Sequence, residues 1–196
     1  MSSSISKSAF FVRNEAVTLI QGSNSLDVLD RIVSTKILDM PDLSRRNALF
    51  CDSNGRIYDM GSIYTIAGSI LLSSSSTEKE TTRRKLVNGT SWDEECEVMI
   101  ADNAIFRISI FPSDYSIIVE LFGVDLEEIG TDLLIEKDDH LFVKTNVSNG
   151  TLIDMLVKYE NLEKIVSLLS DSEFTEMDSD GLDYLRIKLG IREMCD

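Results

Sequence analysis

Two prolines, three cysteines, one histidine and one tryptophan are all that this 196-residue chain holds of those types, and its 34 acids outnumber its 19 bases. The shortage of Lys and Arg leaves a formal charge of -15, so the surplus needed to displace counterions from a phosphate backbone is missing and nucleic acid is excluded as a partner. An acidic surface can steer a cationic ligand or a basic protein, although its commonest meaning is solubility. Cys51, Cys96 and Cys195 are odd in number and far apart, which excludes a disulfide framework and a Cys-x-x-Cys knuckle and reads as a reducing compartment. With His140 the only histidine, a zinc site would need carboxylates and scattered thiols, and no metal is expected. His140, in EKDDHLFVKT, is read as a surface histidine at the start of a strand rather than a catalytic base. There is no Gly-x-Ser-x-Gly elbow and no phosphate-cradling Gly-rich loop. No apolar run approaches the roughly 20 residues of a membrane span. The head, MSSSISKSAFFVRNEA, is too weak for a secretory signal, so a cytoplasmic protein is expected.

What is present is ordinary globular material, 43% hydrophobic and 27% charged, enough for a buried core. The clearest local signal is NALFCDSNGRIYDMGSIYTIAGSILL, in which two β-rich runs meet at Asp52-Ser53-Asn54-Gly55 and the second carries a lone acid, Asp59. Asn and Gly accept the positive φ of tight hairpins. Before it, AFFV and AVTLI read as two short strands joined at Arg13 to Glu15. After Gly22, Ser23 or Asn24 caps a helix carrying Leu26, Leu29, Ile32 and Val33 that ends near Thr35. Pro41 and the following Asp-Leu-Ser-Arg-Arg read as a connector. The serines Ser73 to Ser76 read as the entrance to a helix that is acidic first and basic last, in the order the helix dipole favours.

From Cys96 the pattern begins again. CEVMIAD and AIFRISIF form a second hairpin-like pair, and Pro112 stands where Gly22 stood. A helix with Ile117, Ile118, Leu121 and Phe122 follows, then an acidic connector at Asp125 to Glu128 and a polar turn from Glu136 to His140. HLFVKTNV and TLIDMLVK supply two strands, and a helix with Leu162, Ile165, Val166, Leu168 and Leu169 closes the unit. Both halves share one element order, displaced by about 85 to 90 positions, which marks an internal duplication. One domain of two pseudo-repeats is expected, at about 9–90 and about 96–170, with a C-terminal helix at about 180–190.

The residues then resemble the glycine cleavage T-protein (aminomethyltransferase) family, whose paralogues serve iron–sulfur cluster maintenance and tRNA modification. AVTLIQGSNSLDVLDRIVSTKI resembles its first strand, turn and helix. NALFCDSNGRIYDMGSIYTIAGSILLSSSSTEKETTRRKL resembles its signature hairpin, strand and helix, and GLDYLRIKLGI its Leu-Arg segment. The resemblance implies an α+β fold of two duplicated, intertwined β-α-β-β-β-α units around a central cavity, with tetrahydrofolate as cofactor. It also implies Asp59 as the acid that transfers a proton or orients the folate amine, with Gly55, Tyr58, Asp59, Tyr64, Gly150 and Arg186 as folate-binding positions. The family's second hairpin acid is replaced by Met60, its pterin-binding Glu by Thr151, and the acid after the Leu-Arg arginine by Lys188. A Thr hydroxyl cannot match the bidentate pairing of a carboxylate. The family's C-terminal barrel is not seen after Arg186, so either the barrel is missing or a separate barrel-domain subunit supplies its role.

Three functions are therefore in view. The first is an aminomethyltransferase-like enzyme handling a one-carbon unit from a lipoyl-carrier partner. The second is a non-catalytic module for a folate-like small molecule. The third is a subunit of a split assembly or a homo-oligomer.

Overall fold

The computed structural model describes residues 7–75, 77–125, 130–147 and 150–191. The serine-rich head, most of the expected Asp125 to Glu128 connector, part of VKTNVSNGT, and Cys195 lie outside the described residues. The described chain forms two compact units: one is built on Asn14–Asn103, the other on residues 104–191 together with the segment ending at Arg13.

In chain order the first half supplies β1 (Ala9–Val12), β2 (Ala16–Gln21), α1 (Ser25–Asp30), β3 (Ser44–Cys51), β4 (Ile57–Ile66), β5 (Ser69–Ser74), α2 (Lys79–Gly89) and β6 (Glu97–Ile100). Strands β2 to β6 make a five-stranded antiparallel sheet in the order β3-β4-β5-β2-β6. Its helix-facing side carries Ile20, Phe50, Ile63 and Leu72, which pack with Leu29 of α1 and Leu86 of α2. The expected hairpin is there: Gly55 takes φ 76°, and the Asp52 carboxylate accepts from Asn54 N at 2.8 Å and Arg56 N at 2.9 Å.

The second half supplies β7 (Ile105–Phe111), α3 (Ser116–Phe122), β8 (Leu134–Lys137), β9 (His140–Val147), β10 (Gly150–Lys158), α4 (Tyr159–Ser170), β11 (Thr175–Glu176) and α5 (Ser179–Leu189). Its sheet runs β11-β1-β7-β10-β9-β8. The core of this unit joins Phe10, Ile108, Ile153 and Met155 to Ile165 and Leu169 of α4. Helix α5 starts on the Asp178 side chain, which accepts from Gly181 N at 2.8 Å. It packs Leu182, Leu185 and Leu189 against Ala9, Phe111 and Leu152.

The two sheet orders superimpose element for element, β3-β4-β5-β2-β6 on β8-β9-β10-β7-β1. Each sheet takes its last strand from across the duplication. The runs AFFV and AVTLI, read from sequence as a pair, therefore lie in different sheets, and so do β6 and β7. Backbone bonds finish each exchange: Ala101 N donates to Val17 O, and Arg13 N to Arg107 O, both at 2.8 Å.

Four other expectations are corrected. Helix α1 stops at Asp30 instead of Thr35. The Asp30 carboxylate draws in the Ile37 amide at 2.7 Å, Val33 bridges to Phe50, and Ser34 N donates to Leu49 O. The backbone there meets the free edge of β3 rather than another helical turn. Ser44, Arg45 and Arg46, read as connector, begin β3 and pair with Thr65, Tyr64 and Ile63. Ser73 and Ser74, read as a helix entrance, complete β5 between β2 and β4, where ladders on both sides hold their backbone. Finally, Leu134–Lys137 is a strand, and His140 is buried behind a two-residue turn in which Asp138 and Asp139 both take positive φ.

A buried pair ties α2 to the β6–β7 crossing. Arg83 donates from Nη1 to Asp102 Oδ2 at 3.1 Å, and from Nη2 to Asp102 Oδ1. Its Nε reaches Thr18 Oγ1 at 3.0 Å, and Asp102 Oδ1 accepts the Val17 amide at 2.8 Å. Burial works to raise the Asp102 carboxyl, but the guanidinium and the amide overcome it and hold the group below its ordinary value. Arg83→Met removes the two-pronged partner but leaves Lys79 at 3.5 Å and the Val17 amide on the half-buried Asp102, so a loss of roughly 1–3 kcal/mol in chemical denaturation is expected. Burial pushes the His140 imidazole below its ordinary 6.5, ahead of the opposing pull of Asp139 and Asp138. A folded-state value below the unfolded one means the stability is fully present above about 6.5 and is lost as pH falls below it. The melting temperature should fall between about pH 7 and pH 5.5, and His140→Gln should flatten that slope.

Candidate ligand-binding site

Asp59, the residue singled out by sequence, is fully buried on β4. Its surroundings follow from a bulge: Phe50 pairs with Asp59 and Cys51 with Ile57, so Tyr58 is the extra residue. Two consecutive side chains thereby turn toward α2. Tyr58 lies against Phe50, with ring centroids 6.2 Å apart, and under the Lys85 ammonium at 3.6 Å. Burial pushes its phenol up to about 12, and the hydroxyl has no hydrogen-bond partner among the described residues.

The Asp59 carboxylate is filled by donors. Oδ1 accepts from Met60 N at 2.8 Å and Ser75 N at 3.2 Å, and Oδ2 accepts from the Thr82 hydroxyl at 2.5 Å. Burial raises the group above its ordinary value despite those three donors. The carboxylate thus anchors the exit of β5 and the start of α2 to the hairpin. Gly61, next on the same side of β4, leaves the room: a Cβ there would sit 2.9 Å from Leu72 Cδ1 and from Ser73 O.

The other side of this sheet is polar. Regular pairing from Asp59 to Thr65 puts Tyr64 on the face opposite Asp59. Arg45 lies directly across from Tyr64, and Asn47 across from Ser62. Ser62 Oγ donates to Asn47 Oδ1 at 2.9 Å. Ser73 stands across from Ser62 and donates to the Glu15 carboxylate. Arg45, Ser62, Tyr64 and Ser73 are all buried. The face offers a guanidinium, a carboxylate, hydroxyls and an aromatic ring, a set that can hold a flat heterocycle with both donors and acceptors on its rim.

Four sequence-predicted positions, Gly55, Tyr58, Asp59 and Tyr64, share the β3–β4 hairpin, but only Tyr64 lies on the polar face. Gly55 sits exposed in the turn. Gly150 and Arg186 belong to the other unit, Gly150 at the start of β10 and Arg186 in the last turn of α5, where it pairs with Asp183 at 3.0 Å. That unit has its own buried polar group: Arg13 Nε donates to Ser109 Oγ at 2.7 Å, and Ser109 Oγ donates to Asp154 Oδ1 at 2.6 Å. Arg107 Nη1 lies 3.5 Å from Asp154 Oδ2. Sequence reasoning missed Glu15, Arg45, Ser62 and Ser73. Arg45 lies in Ser44-Arg45-Arg46-Asn47, four polar residues in a row without period-2 alternation, which is why they read as connector. Among the described residues, no group of three or more His, Cys, Asp or Glu side chains gathers to hold a metal. No described helix is long and apolar enough to cross a membrane.

Asp59→Asn keeps an oxygen for the two amides and lets the Thr82 hydroxyl rotate to accept. It should fold with near-normal stability, whereas Asp59→Ala should lose about 1–3 kcal/mol in urea denaturation.

Neither the protein-family models nor the curated proteins contain a match to this sequence. Solved structures do. The glycine cleavage system aminomethyltransferase T from Bartonella henselae is similar over 98% of this chain with a TM-score of 0.82 at 13% identity. The match takes in 53% of that protein, so this chain spans about half its length. The heterotetrameric sarcosine oxidase from Corynebacterium sp. U-96, solved with pyrrole 2-carboxylate, is similar over 84% of this chain and 82% of its own, with a TM-score of 0.60 at 11% identity. The exchanged strands, the matching sheet orders and these likenesses make the fold the duplicated two-sheet α+β fold of the glycine cleavage T-protein domain.

Proposed function

We propose that this protein binds a reduced folate, or a closely related flat polar heterocycle, on the polar face of the β2–β6 sheet, as a binding module rather than a transferase. The observation that carries the reading is the likeness of nearly the whole chain to an aminomethyltransferase. The chemistry of the face supports it. Glu15 is a carboxylate able to pair with adjacent ring N–H groups, the role left empty by Thr151, and Arg45 and Tyr64 supply a guanidinium and a ring beside it. Tyr64 is kept from the six positions implied by the family resemblance.

The state of Asp59 favours binding over transfer. A group that moves a proton must reach the reacting atom. This carboxylate lies on the helix side of its strand and is already occupied by the Met60 and Ser75 amides and the Thr82 hydroxyl. Asp59 is therefore read as an anchor that sets the hairpin under the site. A subunit role in a larger assembly is the second reading, favoured by the heterotetrameric state of the similar sarcosine oxidase and by the half-length match to the aminomethyltransferase.

A thermal-shift and calorimetric titration with 5-formyltetrahydrofolate tests the proposal. Ligand at 100 times its dissociation constant should stabilise the fold by about 2.7 kcal/mol. Glu15→Gln and Arg45→Met should each weaken binding by about ten-fold or more while Asp59→Asn leaves it unchanged. Absence of any shift with reduced folates would remove the reading, and loss of binding in Asp59→Asn would restore a ligand-facing role to that acid.

A further inference from the structure

The duplication leaves one sheet edge without its counterpart. In the second unit the outer edge of β1 is closed by β11 in parallel, Ala9 against Thr175 and Phe10 against Glu176, with Thr175 N donating to Ser8 O and Met177 N to Phe10 O. The equivalent strand in the first unit is β6, and no described strand lies beyond it. Its outward groups can be identified. Ala101 N donates to Val17 O, so in the antiparallel ladder Glu97 and Met99 bond inward to β2, while the N–H and C=O of Val98 and Ile100 point away from it. No hydrogen bond to those four groups exists among the described residues.

Exposed edges are ordinarily blunted by charge, bulges, shortness or a covering segment. The three other edges of the molecule obey that rule. Along β3, Arg46 and the bulge at Phe50/Cys51 are joined by the Val33 bridge and by Ser34, which donates from N to Leu49 O and accepts Leu49 N at 3.2 Å. Strand β8 ends in Glu136 and Lys137, and β11 has two residues. Strand β6 is short and begins with Glu97, but it has no proline, no Lys or Arg, no bulge and no described strand beyond it, and it presents Ile100 at 70% exposure.

A second observation lies in the loop that leads into this strand. Trp92, the only tryptophan of the chain, is 98% exposed. Its loop is nonetheless held firmly. Glu94 receives Arg31 Nη1 at 2.8 Å, Arg31 Nη2 at 2.9 Å and Ser91 N at 2.7 Å, and these contacts hold its carboxyl down at about 2. Asn24 and Glu95 exchange bonds of 3.0 and 2.9 Å, and Gly22, at φ 121°, lets the Glu95 backbone pass where no Cβ would fit. An aromatic side chain held out by a fixed loop is preorganised for an interface anchor, since little freedom remains to be lost.

Charge indicates the occupant. Between Lys85 and Arg107 there is no Lys or Arg, whereas Asp93, Glu94, Glu95, Glu97 and Asp102 all fall there; Arg31 takes up Glu94 and Arg83 takes up Asp102, which leaves Asp93, Glu95 and Glu97 to attract a cation. Self-pairing of β6 would bring two such acidic stretches together. We infer that the outer edge of β6, with Trp92, accepts an extended basic segment of a partner protein, alternating Lys or Arg with apolar residues, as an added strand. Backbone pairing to Val98 and Ile100 supplies the docking, Ile100 and Trp92 take the apolar side chains, and the acids select the basic ones.

The test uses a capped synthetic peptide of alternating lysine and valine, with the glutamate–valine version as its counterpart. Amide exchange followed by NMR should slow at Val98 and Ile100 on adding the basic peptide, and the emission of Trp92 should move to shorter wavelength. Rising salt should weaken the effect by on the order of ten-fold. Ile100→Lys, at an exposed position, and Val98→Pro, whose lost N–H is one β2 does not use, should abolish the protection while the remaining amides of the sheet stay protected. The inference is overturned if the basic peptide leaves Val98 and Ile100 unprotected, or if the acidic peptide or the two variants bind equally well. It is also overturned if those amides are protected without peptide as the mass by light scattering doubles with concentration, since a second copy then holds the edge.

Discussion

A β-strand contributes to a core only when its backbone groups are paired, and in this chain each sheet obtains its last pairing from a strand on the far side of the duplication. Strand β1 completes the sheet of the second half, and β6 completes that of the first. The two crossings must therefore be fixed, and each is, by a backbone bond of 2.8 Å and a buried polar group beside it. At one crossing Arg83 grips Asp102, Thr18 and the carbonyl of Val17. At the other Arg13 reaches Ser109 and, through it, Asp154. Charged side chains are costly to bury, and their full pairing at these two points explains how the chain tolerates them.

The same economy of pairing accounts for Asp59. On an open sheet face its carboxylate would be available to a ligand. Here the regular register of β4 places it with Gly61 and Ile63 under α2, where it takes up the Met60 and Ser75 amides and the Thr82 hydroxyl. The opposite face of the sheet carries a separate set of polar side chains. Its residues, Glu15, Arg45, Ser62, Tyr64 and Ser73, come from four places in the chain. They meet because β3, β4 and β5 pair in one register and the crossing before β2 leans over them.

Pseudo-symmetry is most informative where it fails. The halves agree in the order of five strands, in a helix following the first strand and in a helix following the last. They differ at the outer edge of the exchanged strand, closed by β11 in one and bare in the other. Among the described residues, β6 is the edge that sets an exposed Ile100 beside an exposed tryptophan on a hydrogen-bonded loop.

The sequence by itself determined the element order, the Asp52 to Gly55 hairpin, the duplication and the likeness to the T-protein family, because periodicity and turn chemistry are local. It pointed to Asp59 and Tyr64 as residues of consequence. Which strands pair, which face each side chain takes and where His140 sits were decided only by tertiary structure. AFFV and AVTLI look like a hairpin because adjacency in sequence is the ordinary rule for strands, and only the competing ladder with β7 draws β1 away. Which face Asp59 takes was likewise set by register: regular pairing places it with Gly61 and Ile63 on the helix side, and pairing register leaves no mark in composition.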